Sequence, residues 1–238
     1  MPLQTVEPQR LYRRIAEQLR SLITRGEFAP GARLPAERDL ARQLGVSRPS
    51  VREALIAMEV EGLIDVRTGS GIYVVEAGPR PRRAGAAYDP AEWGPLDLMR
   101  ARELVEGEVA ALAARHARKP HISAMADALD QMHEQAAAGT VPRDGDEAFH
   151  SAVAQSCGNE VLRDTVRGYW AARRGPLFER LGDYFETPAS WNAAMVEHAA
   201  VLEAVRAKDP AAARDAMQSH LKKSYKRYSA SWKRANPS

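Results

Sequence analysis

Asp146 and His150 stand four residues apart in DGDEAFH, and two further histidines, His198 in VEHAAVLEAVRAKDP and His220 in AMQSHLKKSY, follow among apolar neighbours. On a helix, positions i and i+4 share one face, so a carboxylate and an imidazole there can grip one cation. The same pair also makes an ordinary side-chain hydrogen bond within a helix, and spacing alone leaves both readings open. With His198 and His220 facing a helical core, four ligands become available. An Asp plus three His set with open positions suits zinc, nickel or manganese, and ligand type does not separate these divalent metal ions. Glu147 adjoins the pair but points to a different helical face, so no general base stands beside the site and a metalloenzyme is the weaker reading. No enzymatic activity is expected. His116, His121 and His133 fall near helix ends or in polar stretches and read as surface residues.

A second chemistry sits upstream. Arg48 and Arg52 in SRPSVRE are four apart, opposite an apolar face of Val51, Leu55 and Met58. An arginine on an open helical face can donate two hydrogen bonds to guanine O6 and N7, and Ser47 and Ser50 suit phosphate or mixed contacts. Arg38 lies on the preceding helix, placed for a base or phosphate contact at the groove's edge. The Thr68 hydroxyl and the amides around Gly69 are placed for the minor-groove backbone. The alternative is a solvated face, with Arg52 paired to a nearby carboxylate.

These side chains need elements to hold them. Leu11, Ile15, Leu19, Leu22 and Ile23 recur at helical spacing over residues 10–25, and Gly26 closes the stretch. Pro35 suits the first turn of a short second helix, with Glu37 and Asp39 at its positive end and Gly45 at its close. Ser47 caps a third helix that Gly62 stops. LIDVR and IYVV flank TGSG, which reads as a hairpin of the kind that forms a wing beside a recognition helix. From residue 77 to 93 the chain turns rich in proline, glycine and arginine without apolar periodicity, the mark of a linker. Beyond it every segment is helical in pattern: 98–117, 122–137, 144–156, 161–174, 191–207 and 211 to about 232. The reading is a mostly α protein: a winged helix-turn-helix of three helices and a β-hairpin over 8–76, then an all-α helical bundle over 94–235.

Composition is compatible with this. The chain has 238 residues, 45% hydrophobic and 27% charged, enough to bury two modest cores, and a formal charge of +3 that permits nucleic-acid binding. No apolar run approaches the roughly 20 residues of a membrane span, and MPLQTVEPQR lacks a signal peptide's apolar stretch, so no membrane partner and a cytoplasmic location, at the nucleoid when bound to DNA, are expected. The single cysteine, Cys157, reads as a small, partly buried side chain.

The run LPAERDLARQLGVSRPSVREALIAMEVEGLIDVRTGSGIYVV resembles the winged helix of the GntR family of transcriptional regulators, over essentially residues 8–76. The resemblance implies a homodimer that binds double-stranded operator DNA at a short palindrome, with Arg38, Arg48 and Arg52 matching base-contacting arginines. Position 68 departs from the histidine of one member. Residues 96–232, including MRARELVEGEVAALAARHA and AFHSAVAQSCGNEVL, resemble the FCD effector domain of the FadR subgroup. Asp146, His150, His198 and His220 fall on the four metal-ligand positions of its metal-binding members. Small organic acids are the effectors the resemblance implies. Arg102, Arg173 and Arg174 are the candidates to pair with such a carboxylate effector, against the alternatives that Arg102 pairs with Glu106 and that Arg173 and Arg174 face solvent. ARELVEGEVAALAA and WAARRGPLFERL are most similar to regulators of hexuronate catabolism, which implies a sugar acid. Metal would fix the pocket, the acid would complete its coordination, and a shift of the bundle would lower DNA affinity, as in a repressor. A regulator in which the ion itself is the signal is the alternative.

Overall fold

Apolar residues spaced three and four apart on Leu11–Thr24 (α1) bury Tyr12, Ile15, Ala16 and Leu19 and leave the charged face outside. A computed structural model describes residues 11–75 and 93–230, whose contacts divide between two units. Of the expected linker only Trp93 is described; residues 77–92, like 8–10, 76 and 231–235 of the expected domains, lie outside the described residues.

In the first unit α1 and α2 (Glu37–Leu44) pack on α3 (Arg48–Val60) around Leu19, Leu40, Val51, Leu55 and Met58. The second helix begins later than Pro35. The amides of Asp39 and Leu40 donate to the Ala36 carbonyl, which makes Ala36 the N-cap and leaves Pro35 just outside the first turn. Gly45, at φ 65°, ends α2 in the left-handed region, where a side chain would be strained. Ser47 then caps α3, its Oγ accepting from the Ser50 amide. The wing is an antiparallel pair, β1 (Ile64–Arg67) and β2 (Gly71–Val74), in register from Ile64 opposite Val74 to Arg67 opposite Gly71. A third segment joins it. The amides of Gly31 and Leu34 donate to the carbonyls of Val74 and Ile72, both at 2.8 Å. Sequence gave no hint of this pairing, because Ala29–Pro30–Gly31 reads as a turn.

The second unit is all helix among the described residues: α4 (Pro95–His116), α5 (Lys119–Ala137), α6 (Arg143–Ser156), α7 (Glu160–Arg173), α8 (Pro176–Phe185), α9 (Pro188–Arg206) and α10 (Pro210–Tyr228). The segment α8 was not anticipated: PLFERLGDYF spans ten residues, too few for a clear period, yet Leu177, Phe178, Leu181 and Phe185 bury one face of it. α4 runs along α10, close enough that a Cβ on Gly107 would meet Gln218 Cγ at 2.7 Å. α9 packs on α5 and α10, and α6 on α4, α5 and α7. Cys157 is buried, its thiol donating to the Asn159 carbonyl.

Side-chain caps start three of these helices: Asn159, Thr187 and Asp209 each accept from amides of the following turn. Thr187 forms a reciprocal box with Ser190 at the start of α9. Thr187→Ala is expected to lower stability by about 1 kcal/mol, measured by urea unfolding against wild type.

Candidate metal centre and nucleic-acid interface

α6 carries Asp146 and His150 one turn apart, α9 brings His198 and α10 brings His220, and one ligand atom from each lies within 4.8 Å of the others. His198 Nε2 is 3.0 Å from Asp146 Oδ1 and 3.2 Å from His150 Nε2. His150 Nε2 is 3.4 Å from the same Asp146 oxygen. Atoms held by one ion at about 2.0–2.2 Å stand about 3 Å from each other, so this spacing suits a shared cation.

The imidazoles are oriented from behind. His150 Nδ1 donates to Glu106, His220 Nδ1 to Glu197 at 2.9 Å, and His198 Nδ1 to the Ala194 carbonyl at 2.7 Å. With Nδ1–H engaged, each ring turns the lone pair of Nε2 toward the centre. Burial pushes the Glu106 carboxyl up, but Arg102 and His150 outweigh it and hold it at about 2. Burial likewise acts on Glu197, and His220 with Arg227 brings it to about 2. Burial, reinforced by neighbouring His198, pushes His220 down to about 3, so this ring is neutral and keeps its lone pair. Burial opposes a charge on His150, yet Glu106 and Asp146 raise its pKa. Positive charge is thus favoured at the centre, where the buried Asp146 Oδ1 faces His198 Nε2 and His150 Nε2 and meets no other hydrogen-bonding group among the described residues. An orphaned anionic oxygen facing ring lone pairs fits a divalent cation better than a self-contained hydrogen-bond network.

A cavity of about 60 Å³ adjoins the cluster, its wall including Asp146, His220, Arg102, Arg143, Arg173 and Arg227. Arg102 is 0% exposed, two-pronged on Glu106, and stacks 4.6 Å from the Trp170 ring centre. It therefore pairs with Glu106 and lines the cavity at once. Arg173 also lies over Trp170, at 4.3 Å, and donates to Asp146 Oδ2 at 3.1 Å. Arg174 is a correction to the sequence reading: it does not line this cavity but is exposed and paired with Glu147.

Sequence reasoning passed over Arg143, Arg227, Glu186 and Trp191 on the wall, and Glu106 and Glu197 behind the histidines. Arg143 stands three before Asp146 and Arg227 seven after His220, spacings that put each on its ligand's face. Glu186 and Trp191 carried no such signal, since they flank a helix start. His116 and His133 are exposed, and His121 receives the Arg118 amide at the head of α5.

In the first unit, Arg38 is 77% exposed, and Thr68 and Gly69 stand exposed at the wing's turn. Ser47 and Ser50 share a 2.8 Å contact between hydroxyls at the head of α3. Arg48 is 48% exposed, its Nε donating to Glu37 at 3.0 Å. Arg52 is not on the open face that its spacing implied. It is 2% exposed, with Nε and Nη2 on the two oxygens of Glu37 at 2.9 and 2.8 Å. α2 crosses close to this side of α3, and its first residue supplies the carboxylate.

Residues 11–74 match the family described as bacterial regulatory proteins, gntR family, and residues 97–223 match the FCD domain. The chain is 37% identical over 225 residues to the Exu regulon transcriptional regulator of Escherichia coli, covering 92% of this chain and 84% of that protein. It is 36% identical over 218 residues to the Uxu operon transcriptional regulator of Escherichia coli, covering 90% and 84%. Among solved structures, E. coli McbR/YncC superposes with a TM-score of 0.50 at 21% identity, over 91% of this chain and 95% of that one, a likeness of fold. No helix among the described residues is long and apolar enough to cross a membrane. A winged helix-turn-helix followed by a unit that is all helix among the described residues, with both family matches and these relatives, makes the chain a member of the gntR family, in its FadR-like subgroup with an FCD domain, and a DNA-binding transcriptional regulator.

Proposed function

We propose that this regulator is a homodimeric repressor that releases a short palindromic operator when a sugar acid of the hexuronate class enters its second domain. The observation that carries the reading is the cavity wall, where two of the clustered ligands, Asp146 and His220, stand beside four arginines. Asp146, His150, His198 and His220 would hold a divalent ion, which supplies Lewis acidity for an anionic ligand. Arg143 is the cavity arginine with the weakest internal pairing, 3.8 Å from Glu179, and is placed to take a carboxylate. Glu186 Oε2 and Trp191 Nε1 are buried polar atoms without partners among the described residues, and both residues line the cavity. An acceptor and a donor in that state favour a ligand rich in hydroxyl groups over a plain carboxylic acid. The kinship to Exu and Uxu regulators supports the same class.

On the DNA side, α3 enters the major groove with Arg48 toward the bases and Ser47 and Ser50 toward phosphates. Arg38 meets the groove's edge, and Thr68 and Gly69 meet the backbone. Arg52 acts from behind the interface.

Mobility shifts test the effector reading. Metal-loaded protein on a promoter fragment is titrated with glucuronate, galacturonate and hexanoate, and separately with zinc or nickel alone. Release by a hexuronate, with hexanoate inert, is expected. Release by no acid would end the proposal, and a response to the ion alone would point to a metal sensor.

A further inference from the structure

Glu37 opens α2 with its side chain 6% exposed, and its two oxygens serve two arginines of α3. Oε2 takes Arg52 Nε at 2.9 Å; Oε1 takes Arg52 Nη2 at 2.8 Å and Arg48 Nε at 3.0 Å. The Arg52 pair is two-pronged and enclosed, so it fixes the carboxylate in place. Arg48 is held only through Nε, while half its side chain reaches solvent. Its terminal nitrogens are left to meet a base edge.

We propose that Glu37 is a positioning residue for base reading, a strut anchored on Arg52 that presets the Arg48 guanidinium for guanine. This rests on the reading that α3 enters the major groove. Arg48 carries several rotatable bonds, and a base contact made from a preset pose loses less conformational freedom. The strut also carries a negative charge. Buried Glu37 and Arg52 cancel in charge, and Arg48 remains as the cation presented to DNA.

The test uses the full-length protein and two duplexes of equal length: one selected by the wild type from a random library, and a shuffled version. Dissociation constants are measured across a salt series, under conditions where circular dichroism gives each variant wild-type helix content. Glu37→Gln is expected to bind the shuffled duplex several-fold more tightly, with a log–log salt slope steeper by about one unit. Its selected-to-shuffled ratio is expected to fall about tenfold, the loss lying at the base pair that Arg48→Ala also relaxes. Because Glu37→Gln removes the carboxylate that balances the buried Arg52 charge, a second variant, Glu37→Gln with Arg52→Met, replaces the whole pair and keeps the net charge. There the ratio is expected to fall as far while the salt slope stays at the wild-type value. A ratio within twofold of wild type in either variant would overturn the strut, as would an equal loss on both duplexes. If the wild type enriches no sequence from the library, the groove reading of α3 fails first, a distinct outcome.

Discussion

Glu106→Ala is expected to lower the unfolding free energy of the second unit by about 3–5 kcal/mol, a large part of the stability of an ordinary domain. Arg102 is 0% exposed, and Glu106 is the carboxylate it bonds among the described residues, so the variant leaves a buried guanidinium without its counter-charge. The Trp170 ring over Arg102 offers a cation–π contact, but it is present in wild type and variant alike and so offsets none of the loss. His150 loses the acceptor for its Nδ1–H in the same step. Urea unfolding followed by tryptophan fluorescence reads chiefly this unit, which holds Trp93, Trp170 and Trp191. Removing both charges as Arg102→Met with Glu106→Leu is expected to recover most of the loss, since replacing a buried pair by apolar side chains is often neutral. A loss under about 1 kcal/mol for Glu106→Ala, the size typical of an exposed pair, would contradict the enclosure of Arg102.

The parts of this molecule that were legible in its sequence are those set by local rules. Ser47, Thr187 and Asp209 announced helix starts through a side-chain oxygen two or three residues ahead of an amide, and Gly45 announced a helix end. The convergence of Asp146, His150, His198 and His220 was legible because Asp146 and His150 obey helical spacing and His198 and His220 sit in apolar company. What failed depends on tertiary neighbours. Arg52 was assigned to an open face because nothing within α3 reveals that Glu37 of α2 covers it. Arg173 and Arg174 are adjacent and looked equivalent, yet a helix turns successive residues about 100° apart, so one meets Asp146 at the cavity and the other meets Glu147 outside. The carboxylates behind the histidines were invisible for the same reason: Glu106 lies 44 residues from His150.

His198→Ala is expected to weaken zinc or nickel binding by roughly a hundredfold or more, as the loss of one of four ligands from a site of typical strength would. The choice of His198 matters. Its Nδ1–H is spent on the Ala194 carbonyl of its own helix, so truncation orphans no buried carboxylate. His150 and His220, in contrast, are bound to Glu106 and Glu197, and their removal would mix lost ligation with lost stability. Glu197→Gln provides the graded comparison: it keeps all four ligands, neutralises the acceptor behind His220 and loosens the two-pronged Arg227 pair on the same carboxylate, for which about 10- to 100-fold is expected. Competition against a chromophoric chelator measures both. Operator affinity without effector should stay near wild type in His198→Ala, while release by a hexuronate should be lost, because the ion and the cavity arginines share one wall. Wild-type metal affinity in His198→Ala would mean that the convergence of Asp146, His150, His198 and His220 serves packing and hydrogen bonding alone.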